Sequence, residues 1–377
     1  MNKKVSVFLS VLIVMVLLLS ACAPAATQAP AATPTAAGPA LKLAAIFPGV
    51  ISDSDYNTLG YLGAQAVQKD MGVEMAYSES VPVPDIDGVM RQYIDQGFNI
   101  IWTHGSQFVN QTLDLAKQFP DVIFIAEGDA KPDNLGANVW FIDRNFHIGF
   151  YGIGALAARI TKTGKVGYIG GLTLPFSYAE VHAIQQAIKD SGKTVEFKPV
   201  WAGDFNDPAK SRQVADTMIA EGYDVLLGSL NNGMLGVFEA AKASTGTKIL
   251  VTAKYTDKTT IAPDNYVTSL LYDFVKPMKD IVGKIQAGEK GGYYPLGFDT
   301  GVSLQTPLKN VDASVETEMD AVIADLVAGK IQVVKDTSEG KESGGKFWII
   351  WRRFPYRVET FASGDYTSPH PQPLPAL

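Results

Sequence analysis

Between residues 41 and 272, short apolar runs alternate with longer stretches in which apolar residues recur every three or four positions. The short runs are Lys42 to Phe47, Val73 to Ser78, Asn99 to His104, Val122 to Glu127, Val139 to Asp143, Lys165 to Gly170, Val195 to Ala202, Asp224 to Ser229, Lys248 to Ala253 and Tyr266 to Leu271. The longer stretches are Tyr56 to Met71, Asp87 to Gln96, Asn110 to Phe119, Tyr178 to Ser191, Pro208 to Glu221 and Gly233 to Ala243. A short apolar run bounded by turn residues predicts a buried strand, and a 3.6-residue period predicts a helix with one buried face. Strand and helix in regular alternation predict an α/β fold of parallel sheets flanked by helices. Right-handed crossovers then bring the loops that follow the strands to one edge, where such folds bind ligands.

Two segments echo one another. Val81 to Ser106 and Phe205 to Ser229 each run from a Pro-bearing polar loop into a helix, then to Gly97-Phe98-Asn99 or Gly222-Tyr223-Asp224, then to an apolar strand ending in Gly-Ser. Glycine directly after a helix fits a left-handed cap. The echo predicts two similar lobes facing each other.

Ahead of this body the pattern changes. Lys3 and Lys4 precede an apolar stretch from Val5 to Leu19, and Leu19-Ser20-Ala21-Cys22 follows it. That stretch is short for a bilayer core of about 30 Å, which takes about 20 residues, so it reads as a signal peptide. The small residues before Cys22 resemble a bacterial lipobox, with Cys22 as the acylated N-terminus. Cys22 is the only cysteine, so no disulfide competes for it. Ala23 to Ala40, rich in Ala, Pro and Thr and uncharged, reads as a flexible tether. The sequence therefore predicts a protein anchored by lipid to the extracytoplasmic face of a cell membrane.

Composition and motifs narrow the class. A net charge of −7 offers no basic footprint for nucleic acid. Gly152-Ile153-Gly154-Ala155-Leu156-Ala157 matches GxGxxA but lies inside an apolar run with no strand and turn before it, so dinucleotide binding is not expected. Asp53, Asp55 and Asn57 begin like a calcium loop, but Thr58 stands at the turn glycine and Ala64 at the bidentate glutamate. His104, His147, His182 and His370 show no metal-ligand spacing, and no GxSxG elbow is present. No catalytic residue, metal or cofactor is expected.

Loop aromatics and polar residues mark the candidate site instead. Tyr56, Phe108, Phe176, Tyr178, Phe205, Tyr255 and Tyr272 fall in or beside strand-to-helix loops, and aromatic faces hold a heterocyclic base for about 1 to 3 kcal/mol each. Asp53, Asn57, Ser106, Asn231, Asn232 and Asp257 occupy similar positions and reach ring nitrogens or hydroxyls. Asp53 and Asn57 are equally helix N-cap candidates, and each aromatic equally fits a packing role under its loop.

The body resembles the basic membrane protein family of substrate-binding lipoproteins, which serve ABC importers and whose characterised members bind purine nucleosides. The resemblance rests on Asp53 to Asn57, Phe119-Pro120-Asp121-Val122, Ala157 to Pro175, Asp207 to Lys210, Gly222 to Val225 and Thr268-Ser269, in order between about Leu41 and Val334. It implies a type I periplasmic-binding-protein fold. Lobe 1 would comprise 41–163 with about 272–297, lobe 2 164–271 with about 298–335, and residues 336–377 a partly disordered tail. It also implies Tyr56 and Phe205 as a stacking pair, one from each lobe, with Asp53 and Asn57 on the base edge. Tyr255 stands where the family carries an acid for the sugar, and Tyr272 with Asp273 where it carries a lysine, so a free base fits as well as a nucleoside. The expected partners are a purine-like small molecule and ABC permease subunits, with the protein a monomer. A sensor lipoprotein signalling to a membrane kinase and a secreted hydrolase using carboxylates such as Asp53 and Asp129 are the alternatives.

Overall fold

The computed structural model describes residues 40–339. The signal, Cys22 and tether assignments, and the end of the tail, lie outside these residues. Two six-stranded sheets organise the chain. In the first, β1 (Lys42–Ile46), β2 (Glu74–Ser78), β3 (Ile100–Thr103), β4 (Ile123–Gly128), β5 (Val139–Asp143) and β11 (Gly292–Pro295) lie in the order β11-β5-β4-β3-β1-β2, all parallel. In the second, β6 (Lys165–Gly170), β7 (Glu196–Trp201), β8 (Val225–Ser229), β9 (Leu250–Tyr255), β10 (Tyr266–Tyr272) and β12 (Val302–Leu304) lie in the order β12-β10-β9-β8-β6-β7, with β12 alone antiparallel. The protein thus has two α/β domains of matching topology. The two echoing segments occupy equivalent places, ending in β3 and β8, and Gly97 and Gly222 both take left-handed φ, at 83° and 90°.

The helices are α1 (Tyr56–Met71), α2 (Ile86–Asp95), α3 (Val109–Gln118), α4 (Phe146–Ile160), α5 (Pro175–Asp190), α6 (Pro208–Ala220), α7 (Met234–Ala243), α8 (Val275–Gln286) and α9 (Ala313–Val327). Local chemistry sets their ends. α1 stops at Gly72, whose φ of 68° suits a residue without Cβ. α6 starts from Asp207, whose carboxylate accepts from the N–H groups of Ala209 and Lys210, with Pro208 at the first helical position.

Each sheet has its own core. Ile46, Met90, Ile101, Phe108, Leu115, Phe124 and Phe141 fill the first, and Ile169, Met218, Leu226, Phe238, Val251 and Tyr266 belong to the second. The GxGxxA run forms part of α4. A Cβ at Gly154 would stand 2.8 Å from the Cα of Ile184, so this glycine lets α4 press against α5 and serves packing.

The chain passes between the sheets three times, after β5, after β10 and after β11. Beyond α9 the chain runs back along α5. Val334 N–H donates to Gln186 Oε1, the Asp336 carbonyl lies 2.8 Å from His182 Nδ1, and Lys335 Nζ reaches Asp143 Oδ1 at 2.6 Å, at the first crossing. Among the described residues no helix is long and apolar enough to cross a membrane.

Candidate functional site

The C-terminal ends of both sheets face a common cleft, and two charged networks lie beneath it. In the first domain Glu127, fully buried on β4, accepts from Tyr56 Oη at 2.8 Å and Trp102 Nε1 at 2.8 Å, and lies 2.7 Å from His104 Nδ1. His104 Nε2 faces the Tyr56 carbonyl at 2.9 Å, and the Tyr56 ring stacks on the imidazole with centroids 3.9 Å apart. A carbonyl only accepts, so Nε2 carries a proton.

In the second domain Lys254, fully buried on β9, donates to Glu180 Oε1 at 2.6 Å, and Tyr168 Oη donates to Glu180 Oε2 at 2.7 Å. Five rings surround the ammonium: Phe146 at 3.5 Å, Tyr255 at 4.8 Å, Phe176 at 5.1 Å, Phe150 at 5.3 Å and Tyr272 at 5.6 Å. Such faces attract a cation through their quadrupoles. Burial pulls Lys254 down to about 8, against the opposing influence of Glu180.

Arg144 stands between the two networks, directly after β5. Its Nε and Nη2 bind Asp129, Nη2 also donates to Ser106 Oγ at 2.8 Å, and Nη1 donates to Tyr56 Oη at 3.2 Å. The guanidinium faces Phe146 at 4.8 Å, Phe176 at 5.2 Å and Tyr56 at 5.7 Å. Burial works to lower its pKa, but Asp129 and the neighbouring Tyr56 and Tyr255 together more than reverse this and the group stays charged.

The domains meet directly at the rim. Asp55, 1% exposed at the start of α1, accepts from Lys258 Nζ at 2.7 Å and Thr256 Oγ1 at 2.8 Å, both from the loop after β9. Burial raises Asp55 to about 6, with Lys258 pulling the other way. Across the same contact the Tyr56 and Tyr255 rings lie 5.7 Å apart. Tyr255 adopts φ of 76°, a strained value for a side-chain-bearing residue.

Several residues singled out by sequence converge on this cleft. Tyr56, Ser106, Phe176, Tyr255 and Tyr272 border Arg144 or Lys254. Phe205 joins through Phe176, the two rings nearly parallel at 6.1 Å. Tyr56 and Phe205 make no ring contact with each other, because Arg144 and Phe176 stand between them. Asp53 serves the loop: its carboxylate accepts from the N–H groups of Asp55, Asn57 and Thr58 and from the side chains of Asn57 and Thr58. Asn57 keeps a buried Oδ1 without a partner.

Three others lie apart from the ring cluster. Phe108 is fully buried in the first core, packed there because its loop turns inward into a short 3-10 helix. Asn231 is half-buried, its N–H donating to the Phe205 carbonyl and its carbonyl accepting from Met234 N–H at the start of α7, so it reaches the cluster only through the backbone of Phe205. Asp257 is exposed, with Oδ1 held by the N–H and hydroxyl of Thr259. It borders, with Tyr255, Tyr272, Asp273, Leu59 and Ser303, a cavity of about 470 Å³.

Arg144, Lys254, Glu180, Glu127 and His104 were not singled out from sequence. A lysine inside the run Leu250 to Tyr255 and a glutamate inside Ile123 to Gly128 were the available signals, since charges within buried strands need partners.

Comparison with known proteins agrees with this architecture. Residues 40–337 match the Bmp family, described as ABC transporter substrate-binding protein PnrA-like. Basic membrane protein A of Borreliella burgdorferi is 25% identical over 315 residues, covering 81% of this chain and 90% of that protein. A purine-binding protein of Brucella abortus is 23% identical over 280 residues, covering 74% and 77%. A solute-binding protein of an ABC transporter system from Conexibacter woesei superposes with a TM-score of 0.66 at 24% identity, covering 80% of this chain and all of that one. The chain belongs to the Bmp family of ABC transporter substrate-binding proteins, a solute-binding and not an enzyme family.

Proposed function

We propose that this protein is held by a lipid on Cys22 at the outer face of the cell membrane and captures a purine-like ligand, a base or a nucleoside, between its two domains for delivery to a permease. The observation that carries the ligand assignment is the ring cluster of Tyr56, Phe146, Phe176, Tyr255 and Tyr272, drawn from both sides of the cleft around Arg144 and Lys254. Ring faces of this kind suit a flat heterocycle. The purine-binding relative of Brucella abortus supports the same class.

In this reading an open form admits the ligand, the rings of one domain take its face, and the other domain closes over it. Asp55, Lys258 and Thr256 then latch the rim. Ligand shifts the equilibrium because it touches both domains only when they are closed. The closed form is the one presented to the permease.

Calorimetry with purine bases and nucleosides tests the site. Tyr56→Ala and Phe176→Ala are each expected to weaken the best ligand about 5- to 150-fold, from about 1 to 3 kcal/mol per lost stack. Unchanged affinity in both would remove the site assignment, and a panel in which no purine binds would remove the ligand class. Cys22→Ser is expected to release the protein from membranes with ligand affinity intact.

A further inference from the structure

The carboxylates beside the ring cluster are already engaged. Both oxygens of Asp129 accept from Arg144, both of Glu180 accept from Lys254 and Tyr168, and both of Glu127 accept from Tyr56 or Trp102, with His104 Nδ1 also against Oε1. Ser106 Oγ accepts from Arg144 as well.

The donors are not exhausted. Tyr272 is 3% exposed and its hydroxyl has no partner among the described residues. A guanidinium carries two N–H on each terminal nitrogen, and Nη1 of Arg144 gives one of them to Tyr56 Oη. Lys254 has three N–H, one strong acceptor in Glu180, and Ser229 Oγ only at 3.5 Å. Phe146 locates all three donors in one corner: its ring lies 4.8 Å from the Arg144 guanidinium, 3.5 Å from Lys254 Nζ and 4.9 Å from the Tyr272 ring.

We propose that this corner, in which Arg144 and Lys254 can only donate and Tyr272 adds a hydroxyl, selects heterocycles carrying exocyclic oxygens, oxopurines and related lactams, over 6-aminopurines. The proposal rests on the purine-like reading of the cleft and names the edge that reading leaves open. A carbonyl oxygen offers two lone pairs, and hydrogen bonds from charged donors are the stronger kind. An exocyclic amino group in the same place aims N–H at two cations and gives their spare N–H groups no acceptor, with only the Tyr272 hydroxyl able to accept from it, which costs affinity.

Isothermal titration of the full chain with hypoxanthine, adenine, inosine and adenosine tests this. Hypoxanthine is expected to bind at least tenfold tighter than adenine, and inosine than adenosine. Tyr272→Phe removes a single oxygen from a buried ring and is expected to narrow the hypoxanthine-to-adenine ratio severalfold, with the thermal midpoint reporting that the fold is retained. Equal or tighter binding of adenine overturns the oxo preference and leaves the purine reading standing. A ratio untouched by Tyr272→Phe overturns the role of that hydroxyl. Failure of all four to bind overturns the purine reading and this inference with it.

Discussion

β4 and β9 hold the same place in their sheets, and on the fifth residue of each strand they bury opposite charges, Glu127 and Lys254. The neighbouring strands repeat the correspondence, with His104 following β3 where Ser229 ends β8. The duplicated scaffold fixes where a charge stands and leaves its sign to the sequence. In the first domain the carboxylate draws Tyr56, Trp102 and His104 inward, so that half of the cleft is held by its own hydrogen bonds. In the second domain the ammonium has one carboxylate and a set of ring faces, so N–H capacity is left at the cleft.

Three expectations put this contrast at risk. The largest concerns one substitution made twice. Glu180→Gln strips the counter-charge from a buried ammonium and is expected to lower the unfolding free energy by about 3–5 kcal/mol. Glu127→Gln keeps a carbonyl acceptor for Trp102 or Tyr56 and is expected to cost roughly 1–2 kcal/mol. Urea denaturation of the two variants decides, and equal losses would mean that the two buried charges are neutralised alike.

Next come the two loop aspartates. Asp53 in the first domain is buried and accepts three backbone N–H groups, whereas Asp207 in the second is half-buried and accepts two. Asp53→Ala is expected to cost about 1–2 kcal/mol. Asp207→Ala is expected to lower the thermal midpoint by less, and a reversed order would show that burial does not set the worth of these caps.

The smallest effect concerns the rim where the domains meet. Against Lys258 burial holds the Asp55 carboxyl up at about 6, above the 3.8 of a free aspartate, so closure takes up a proton between these values. The contribution to the closed form is fully present below 3.8 and is lost as pH rises through 6. Ligand affinity is therefore expected to rise roughly tenfold between pH 7 and pH 5, and Asp55→Asn to flatten that dependence. A steady fall in affinity over this range would show that the ion pair outweighs the cost of burying the carboxylate.

The regular elements were legible where apolar runs and periodicity were strong. β5, β6 and α1 have the predicted limits, and most others differ by one or two residues. α4 escaped assignment because it is buried almost all round, between α5 and α9, and so lacks a polar face to reveal a period. β11 and β12 are short edge strands, and α9 buries only Val315 and Met319, too little for a stripe. In the cleft, loop aromatics could be found because they follow strands. Lys254 and Glu180 could not, since what keeps them buried is a partner 74 positions away, and no local pattern encodes such a distance. The predicted strand ended at Ala253, one residue short of Lys254, whereas β9 runs on to Tyr255 and encloses the lysine.

The return of the chain along α5 to the first crossing has a practical side. Because Lys335 is fastened to Asp143, and Asp143 directly precedes Arg144, whatever follows residue 339 departs from beside a pivot rather than from a distant pole. A fluorophore or fusion joined there would sit where opening and closing change the surroundings most directly. Residue 339 is thus a ready point for a reporter of ligand capture.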